Sequence, residues 1–419
     1  MDNKKCEEIN YRRRAIRLTI KGSKPCAILS RIPRRREWLR KWRLRYEQEG
    51  WAGLESRSRR PQTSPQAYTR KARTVVVNLR RKLVRRPVGV VGARAVRQEI
   101  LRCRLLRDVP SAATIKRWLK EAGLIKTASP PPKKVYYPQP RLTKDRALDV
   151  MDWTARYIEG GEKVFVFHTV DWQTRALTQT IKTDKTVASA IGHVLKTWHQ
   201  MGLPDYLQLD NDSAFNGGGK TPRRFGAFVR LALYLGIELI FTPPAEPQRN
   251  GLVESINGLW ASKFWNRNHF NSITEVVRKS SQFTDWYAQR YFPPALKGLT
   301  PAQASQRVKR KRLTQRQVRS VSERLPLTAG RLHFIRRVSA EGAISFLGET
   351  WSVSKRLAHH YVWATVVTHA RRLEVYHRSS EQAAARLVKT YDYAIGEPVH
   401  RLLPQYRRFR VRQSVLKLL

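Results

Sequence analysis

Two acidic residues stand at the ends of predicted secondary-structure elements. Asp210 follows a short apolar strand over 206–209, and Glu254 lies in the first turn of a helix. Carboxylates brought within a few ångströms repel one another, and one stays protonated unless a cation neutralises them. Mg²⁺ prefers one or two carboxylates together with water and phosphate oxygens. We therefore expect these acids to share divalent metal, and two such ions ~3.5–4 Å apart would serve phosphodiester chemistry.

The sequence between these two acids predicts a helix followed by a strand. This helix–strand unit could bring the two acids close together. Apolar residues at helical spacing predict a helix over 225–235, and Gly236 is well placed to end it. A strand over 237–242 follows. The polar turn 247–251 then opens the helix that carries Glu254.

This stretch resembles the catalytic core of the DDE transposase and retroviral integrase superfamily, whose core has the ribonuclease H fold. The matching motifs are LDNDSAF at 209–215 and PQRNGLVESING at 247–258. The second is the closer match, with Pro, Gln, Asn-Gly and Glu at the family's spacing. By this resemblance, Asp210 is the second catalytic acid and Glu254 the third.

The sequence departs from the family pattern in two places. Asp212 replaces the usual Gly and adds a carboxylate that could compete for metal. The spacing between the second and third acids is longer than usual, and the extra length fits in the loop 217–224, where insertions cost little. Asn250 and Gln248 are expected to order the loop before Glu254.

The first acid of the family pattern is expected on the first strand of the core. Residues 146–181 predict three strands in two hairpins, with a Gly-Gly pair at the first turn. The family position before an aromatic residue or Thr is occupied by Asp152. Two rivals stand nearby. Asp149 points to the opposite face of the strand, and Asp171 corresponds to a family Asp that is not counted among the three acids.

Composition indicates a partner of opposite charge. The 419 residues include 82 Lys and Arg against 32 acidic residues, a net charge of +50, which is typical of nucleic-acid binders. A ribosomal or nucleoid-packing protein is the alternative, but 12 Trp and 41% hydrophobic residues favour several packed cores. The few cysteines predict neither a disulfide framework nor a zinc site. Without a signal segment or a long apolar run, we expect a cytoplasmic, nucleoid-associated protein with no membrane contact.

The amino-terminal residues 1–62 predict a helix-turn-helix domain. Its third helix carries Trp38, Trp42 and Tyr46 on one stripe and would lie in the major groove. The alternative is a solvated basic helix in a small bundle. The charge of the chain favours DNA contact through the basic residues around this helix, namely Arg34, Arg35, Arg36, Arg40, Lys41 and Arg43.

A second helical DNA-binding domain is predicted over 63–128. Its last helix starts at Ser111 as N-cap. The Pro-rich linker 129–140 is expected to be stiff and extended. The exposed face of the last helix offers the DNA-binding candidates Lys116, Arg117 and Lys120.

The remaining segments complete a multidomain prediction. The ribonuclease H-like core spans 141–297, and within it Lys263 and Arg267 are candidates for phosphate contacts. A basic linker over 298–324 includes RVKRKR, for which phosphate contact is favoured over a localisation signal. Short alternating strands over 325–390 predict a small β-barrel that resembles the carboxy-terminal barrel of related transposases and integrases. A basic tail over 391–419 would bind DNA or a neighbouring subunit.

The resemblance covers nearly the whole chain and implies a DDE-type DNA transposase of bacterial insertion-sequence character. It implies two Mg²⁺ or Mn²⁺ ions held by Asp152, Asp210 and Glu254. Double-stranded DNA, as element ends and target, is the expected partner, with a homo-oligomer on DNA and possible accessory transposition proteins. Two alternatives stay open: a DNA-binding regulator with an inactive core, and a ribonuclease H-like nuclease that cuts without joining.

Overall fold

The computed structural model describes residues 3–57, 68–86, 88–125, 136–143, 145–212, 215, 223–322, 324–406 and 418–419. Most of the predicted Pro-rich linker, most of the loop 217–224 and residues 407–417 of the basic tail lie outside these ranges. The chain divides into two compact units, Met1–Tyr68 and Thr69–Leu419. Among the described helices, none combines the length and the apolar character needed to cross a membrane.

The first unit consists of helices α1 (Asn3–Ile20), α2 (Pro25–Arg31) and α3 (Arg36–Glu49). They agree in number and order with the predicted helix-turn-helix, whose DNA contact stays a prediction. The packing of Leu39 and Trp42 against α1 and α2 buries the apolar stripe of α3. Ile20, the last residue of α1, is 59% exposed.

The second unit begins with helices α4 (Arg70–Val84), α5 (Ala93–Arg102) and α6 (Ala112–Glu121). Their core contains Val76, Ile100 and Leu119. The predicted N-cap is present, because the Ser111 side chain accepts a hydrogen bond from a backbone N–H of the first turn. Cys103 lies just beyond the end of α5 and is exposed.

A mixed sheet organises the rest of the second unit. Its described strands run in the order β11-β10-β9-β6-β5-β4-β1-β2-β3. β1, β2 and β3 form the two predicted antiparallel hairpins, and β4 and β5 pair in parallel beside β1. The strands are β1 (Leu148–Tyr157), β2 (Lys163–Asp171), β3 (Leu177–Lys182), β4 (Tyr206–Leu209), β5 (Glu238–Phe241), β6 (Arg331–Arg337), β9 (Tyr361–Val367), β10 (Arg372–His377) and β11 (Arg386–Asp392), with β7 (Ala343–Phe346) and β8 (Glu349–Ser352) as a separate hairpin.

Helices cover both faces of this sheet. α7 (Val187–Gln200) and α8 (Ala227–Tyr234) bury Trp198 and Phe228 on one face. On the other face, α9 (Gly251–Lys263) and α10 (Ile273–Arg290) bury Trp260. Because each strand alternates its side chains between these two cores, neighbouring residues of one strand meet different helices. Two short helices follow, α11 (Pro301–Ser305) and α12 (Gln315–Arg319).

The small carboxy-terminal barrel is not confirmed. β6 pairs in parallel with β5, with Leu239 opposite Leu332 and Phe241 opposite Phe334. β9, β10 and β11 then continue the same sheet. The physical reason is that the apolar strand β5 has a free edge with which β6 pairs in parallel. Phe241 and Phe334 stack across this pair with ring centroids 4.9 Å apart.

Candidate active site

Strands β1 and β4 bring Asp152 and Asp210 to the same edge of the sheet. The two strands pair in parallel with Val150 opposite Gln208. Asp152 and Asp210 each lie two residues further along, so the alternation of side chains puts both carboxylates on the same face. Val150 packs in the core formed with α9 and α10, so these acids face α9.

Glu254 reaches this edge because the start of α9 is tied to both strands. The buried side chain of Asn250, just before α9, donates from Nδ2 to the carbonyl of Met151 over 3.1 Å. Its Oδ1 accepts a hydrogen bond of 3.0 Å from Gln208 Nε2. This arrangement agrees with the expectation that Asn250 orders the loop, whereas Gln248 is exposed.

One helical turn after Glu254, Asn257 connects α9 to β1 and β2. Its Nδ2 donates to Oδ2 of Asp152 over 2.9 Å, and its Oδ1 lies 2.7 Å from Nδ1 of His168. Complete burial lowers the pKa of His168 to about 4, so this imidazole is neutral near pH 7. With the Asn257 oxygen as acceptor, Nδ1 of His168 carries the hydrogen. The hydrogen bond from His168 therefore fixes the orientation of the Asn257 side chain, whose NH₂ group points at Asp152.

The charges of Asp210 and Glu254 affect the ionisation of Asp152. Burial, followed by the negative charges of Asp210 and Glu254, raises the pKa of Asp152 to about 7. Burial also raises the pKa of Asp210 and of Glu254. Asp152 therefore lies within electrostatic reach of both other carboxylates, and a cation between them would relieve their repulsion.

The two rival acids lie on the opposite face of the sheet. Asp149 pairs with Asp171 across β1 and β2, and Arg310 inserts between them. The Arg310 guanidinium lies 2.8 Å from Asp149 Oδ1 and 2.7 Å from Asp171 Oδ1. Arg310 belongs to the basic run that was predicted to contact phosphate. That prediction is wrong for this residue, because its side chain is only 6% exposed and neutralises two buried acids.

Asp212 forms an ion pair with Lys185. Its Oδ2 lies 2.9 Å from Lys185 Nζ, and its backbone N–H donates to Oδ1 of Asp210 over 3.1 Å. Lys185 in turn stands 4.4 Å above the ring of Trp153. The additional carboxylate beside Asp210 is thus paired with a lysine in this arrangement.

The donor chemistry suits a hard divalent cation, since Asp152, Asp210 and Glu254 offer carboxylate oxygens. Within the described ranges, however, no three His, Cys, Asp or Glu side chains are arranged to hold a metal ion as they stand. Asp152 Oδ2 is hydrogen-bonded to Asn257, and its Oδ1 accepts from the Trp153 backbone. The acids fit the ion by type, because each carboxylate oxygen has a second lone pair beside the one that such a hydrogen bond uses.

Most basic candidates in the first unit are exposed on or just before α3. Exceptions are Arg43, which is half-buried, and Arg34, whose guanidinium lies 2.6 Å from Glu8 Oε2 and 5.0 Å from the Tyr11 ring. The pair with Glu8 raises the pKa of Arg34. The residues free of such burial are Arg35, Arg36, Arg40 and Lys41.

The basic candidates of the second unit fall into two groups. On α6, the side chains of Lys116, Arg117 and Lys120 are all exposed. In contrast, Arg267 donates from Nη1 to the carbonyl of Arg86 over 2.6 Å, and burial lowers the pKa of Lys263. These last two therefore lie against the end of α4 and the residues that follow it.

Sequence reasoning missed Asn257, His168 and Lys185. A signal existed for Asn257, because residues three apart on a helix share a face and Asn257 follows Glu254 by three. His168 lies in a largely apolar strand, where a buried polar side chain indicates a specific hydrogen-bond partner. Nothing in the local sequence of Lys185 points to Asp212, which is distant along the chain.

Comparison with known proteins finds similarity to integrases. Residues 235–301 match the family described as Integrase core domain, a segment that contains Glu254. The chain is similar to the HTLV-2 integrase catalytic core domain in complex with magnesium, at 17% identity and a TM-score of 0.29, over 40% of this chain and 97% of that one. It is similar to the simian T-cell lymphotropic virus intasome in complex with PP2A regulatory subunit B56 gamma, at 16% identity and a TM-score of 0.35, over 69% of this chain and 93% of that one.

A third similar structure is the catalytic core domain of BIV integrase, at 17% identity and a TM-score of 0.29, over 38% of this chain and 93% of that one. The family match and the large mixed sheet flanked by helices support the ribonuclease H-like fold expected for the core. The match over residues 235–301 supports the resemblance to the DDE transposase and retroviral integrase superfamily that the motifs indicated.

Proposed function

We propose that the protein is a DDE-type DNA transposase of bacterial insertion-sequence character. It binds the terminal repeats of its element, nicks the ends and joins the freed 3′-hydroxyls to target DNA. The observation that supports this most is the electrostatic coupling of Asp152 with Asp210 and Glu254 at one edge of the core sheet. The integrase core domain supports the broader class, a polynucleotidyl transferase of transposase and integrase type.

In this proposal, Asp152, Asp210 and Glu254 hold two Mg²⁺ or Mn²⁺ ions. When bound, such ions activate the attacking oxygen and stabilise the leaving oxygen of an in-line displacement. The chain itself sets the positions of the acids. Asn250 fixes the start of α9 against β1, and Asn257 orients one oxygen of Asp152. No covalent bond between protein and DNA is required.

DNA binding in this proposal rests on charge and exposure. A net charge of +50 supplies the long-range attraction, and exposed cations before and on α3 and on α6 would contact phosphates. Pairing two element ends requires at least two protomers, so we propose a homo-oligomer on DNA, acting in the bacterial cytoplasm, with accessory transposition proteins as possible partners. Lys263 and Arg267 would contribute to binding through the position of α4 relative to the core.

The test is a strand-transfer assay with terminal-repeat DNA and Mg²⁺. The variants Asp152→Asn, Asp210→Asn and Glu254→Gln should each lower product by about 10³-fold or more, as expected for groups that act as a unit. The matched control Glu275→Gln removes a surface carboxylate of α10 that pairs with Lys279, and it should retain activity. Full activity of the three site variants would refute the assignment.

The same assay separates the two alternatives. A DNA-binding regulator with an inactive core would bind terminal-repeat DNA and yield no metal-dependent cleavage. A nuclease would yield cleaved ends and no product in which donor is joined to target. Joined product that requires Mg²⁺ and the three acids excludes both.

A further inference from the structure

The carboxy-terminal strands reach the edge of the sheet that carries the acids. β6 runs parallel to β5 and keeps register up to Phe241 and Phe334. Arg336 lies two residues beyond Phe334, past the end of β5. Asp210 likewise lies past the end of β4, the strand on the other side of β5. Arg336 and Asp210 therefore lie at the same end of the three parallel strands β4, β5 and β6.

Arg336 ties the turn after Asp210 to the end of β5. Its Nη2 donates to Oδ1 of Asn211, the residue next to Asp210, over 2.6 Å. Its Nη1 donates to the carbonyl of Thr242 over 3.0 Å, and Nε to the carbonyl of Ser345 over 3.1 Å. Asn211 Nδ2 also donates to the Thr242 carbonyl. Arg336 is 5% exposed, and burial lowers its pKa to about 10, so this buried cation is stabilised by neutral oxygens in fixed positions.

Tyr361 of β9 holds the turn that leads into α9. Its hydroxyl donates to the carboxylate of Glu246 over 2.6 Å and accepts from Arg249 Nη2 over 2.9 Å. Glu246 and Arg249 pair with each other at 2.8 Å on either side of Pro247 and Gln248. The Arg249 guanidinium also lies over the Tyr361 ring, 4.9 Å from its centroid. The turn before Glu254 is thus braced from the carboxy-terminal strands.

We propose that Arg336 and Tyr361 are positioning residues of the active site, and that β6 and β9 form part of the catalytic domain instead of a separate DNA-binding barrel. Arg336 sets the turn that presents Asp210, and Tyr361 sets the turn that presents Glu254. This inference rests on the proposed function, because the acids must be placed correctly for metal binding and strand transfer. Loss of a partner that orients metal ligands typically lowers metal affinity or activity by about 10- to 100-fold.

The experiment compares Tyr361→Phe with Tyr376→Phe in the full chain. Both variants lose one tyrosine hydroxyl that donates to a glutamate, since Tyr376 donates to Glu374 over 2.7 Å on β10. Strand-transfer rate, affinity for terminal-repeat DNA, thermal stability and Mn²⁺ binding by calorimetry without DNA are measured. Tyr361→Phe should lower the rate and the Mn²⁺ affinity by about 10-fold or more and leave DNA affinity within about two-fold. Tyr376→Phe should alter stability alone.

A second set of variants tests the role of Arg336. Arg336→Lys keeps a cation and part of the donor set, and it should retain more activity and Mn²⁺ affinity than Arg336→Gln. Arg337→Gln, an exposed neighbour that donates to the His359 carbonyl, is the control and should match wild type. Equal losses for Tyr361→Phe and Tyr376→Phe, or unchanged rate and Mn²⁺ affinity in Tyr361→Phe, would overturn the inference alone. Wild-type protein that neither joins DNA nor binds Mn²⁺ would overturn the proposed function and the inference with it.

Discussion

The amide nitrogen of Asn257 lies 2.9 Å from Oδ2 of Asp152, so the helix that carries Glu254 also holds the carboxylate of β1. The partner on the other side of Asn257 is the neutral, fully buried His168. Two of the three acids are therefore related through one side chain, and α9 cannot shift along the sheet without moving the hydrogen-bond partner of Asp152.

The first prediction concerns this contact. Asn257→Ala removes a hydrogen bond that lowers the pKa of Asp152, so that pKa should rise further. Strand transfer at neutral pH should fall by about 10- to 100-fold. The acid limb of the pH–rate profile should move to higher pH. Ser255→Ala, an exposed change on the same helix whose hydroxyl donates to the Leu252 carbonyl, should leave both quantities unchanged. A lower rate with an unshifted profile would argue against this role.

The second prediction concerns stability against pH in metal-free buffer. The folded-state pKa of Asp152 is raised to about 7 from an ordinary value of 3.8, so the folded state binds this proton more tightly than the unfolded state. Stability therefore falls as pH rises from about 4 to about 7. Asp152→Asn lacks this loss, and its melting temperature relative to wild type should increase over that window and level off above it.

The contribution of Asp149, whose pKa burial raises to about 6, is the same in wild type and in Asp152→Asn. It therefore cancels in the difference between their melting temperatures. Saturating Mg²⁺ should reduce the advantage of the variant, because the ion binds the charged carboxylate of the wild type. A difference in melting temperature that is constant from pH 4 to pH 8 would contradict the raised pKa.

The third prediction concerns Arg310. Arg310→Met leaves Asp149 and Asp171 buried without their cation, which typically costs about 3–5 kcal/mol of the free energy of unfolding. The loss should be larger at pH 8 than at pH 5, because protonation removes the uncompensated charge. Denaturant unfolding measures it. Arg312→Met, an exposed change two residues away, should stay within about 0.5 kcal/mol of wild type.

The fourth prediction concerns the salt dependence of DNA binding. Replacing Lys116, Arg117 and Lys120 with Ala should reduce the slope of log affinity against log salt by about 0.9 for each phosphate that the variant no longer neutralises. Arg73→Ala is the control, because Arg73 pairs with Glu121 at 3.0 Å. Fluorescence anisotropy from 50 to 200 mM salt gives both slopes. Equal slopes for the triple variant and wild type would exclude α6 from the DNA interface.

The local sequence pattern was sufficient to predict features that depend on residues close together in the chain. Ser111 caps α6 as predicted, because an N-cap bond joins residues three apart. Alternation along one strand separated Asp149 from Asp152 for the same reason, and the buried pair with Arg310 agrees with it. The element boundaries around Asp210 and Glu254 followed from short apolar runs bounded by glycine and polar turns.

The local sequence pattern failed to predict contacts with residues that are distant in the chain. Arg310 lies in a basic run that is typical of a solvent-exposed linker. Only the tertiary fold brings Asp149 and Asp171 into contact with it. The alternating residues of β6 are compatible with a barrel or with an extended sheet. The free edge of β5 decided between them.

The amino-acid sequence by itself determined the charge of the protein, the order of its elements and the identity of the candidate acids, and it indicated the resemblance of the core to integrases. The tertiary structure decided which side chains contact those acids or the turns next to them: Asn257, Arg336 and Tyr361 form hydrogen bonds across 105, 125 and 115 residues of chain with Asp152, Asn211 and Glu246. Spacing along the chain sets which face of one element a residue occupies. Contacts of such long range depend on how separate elements dock, and docking is set by the packing of whole faces.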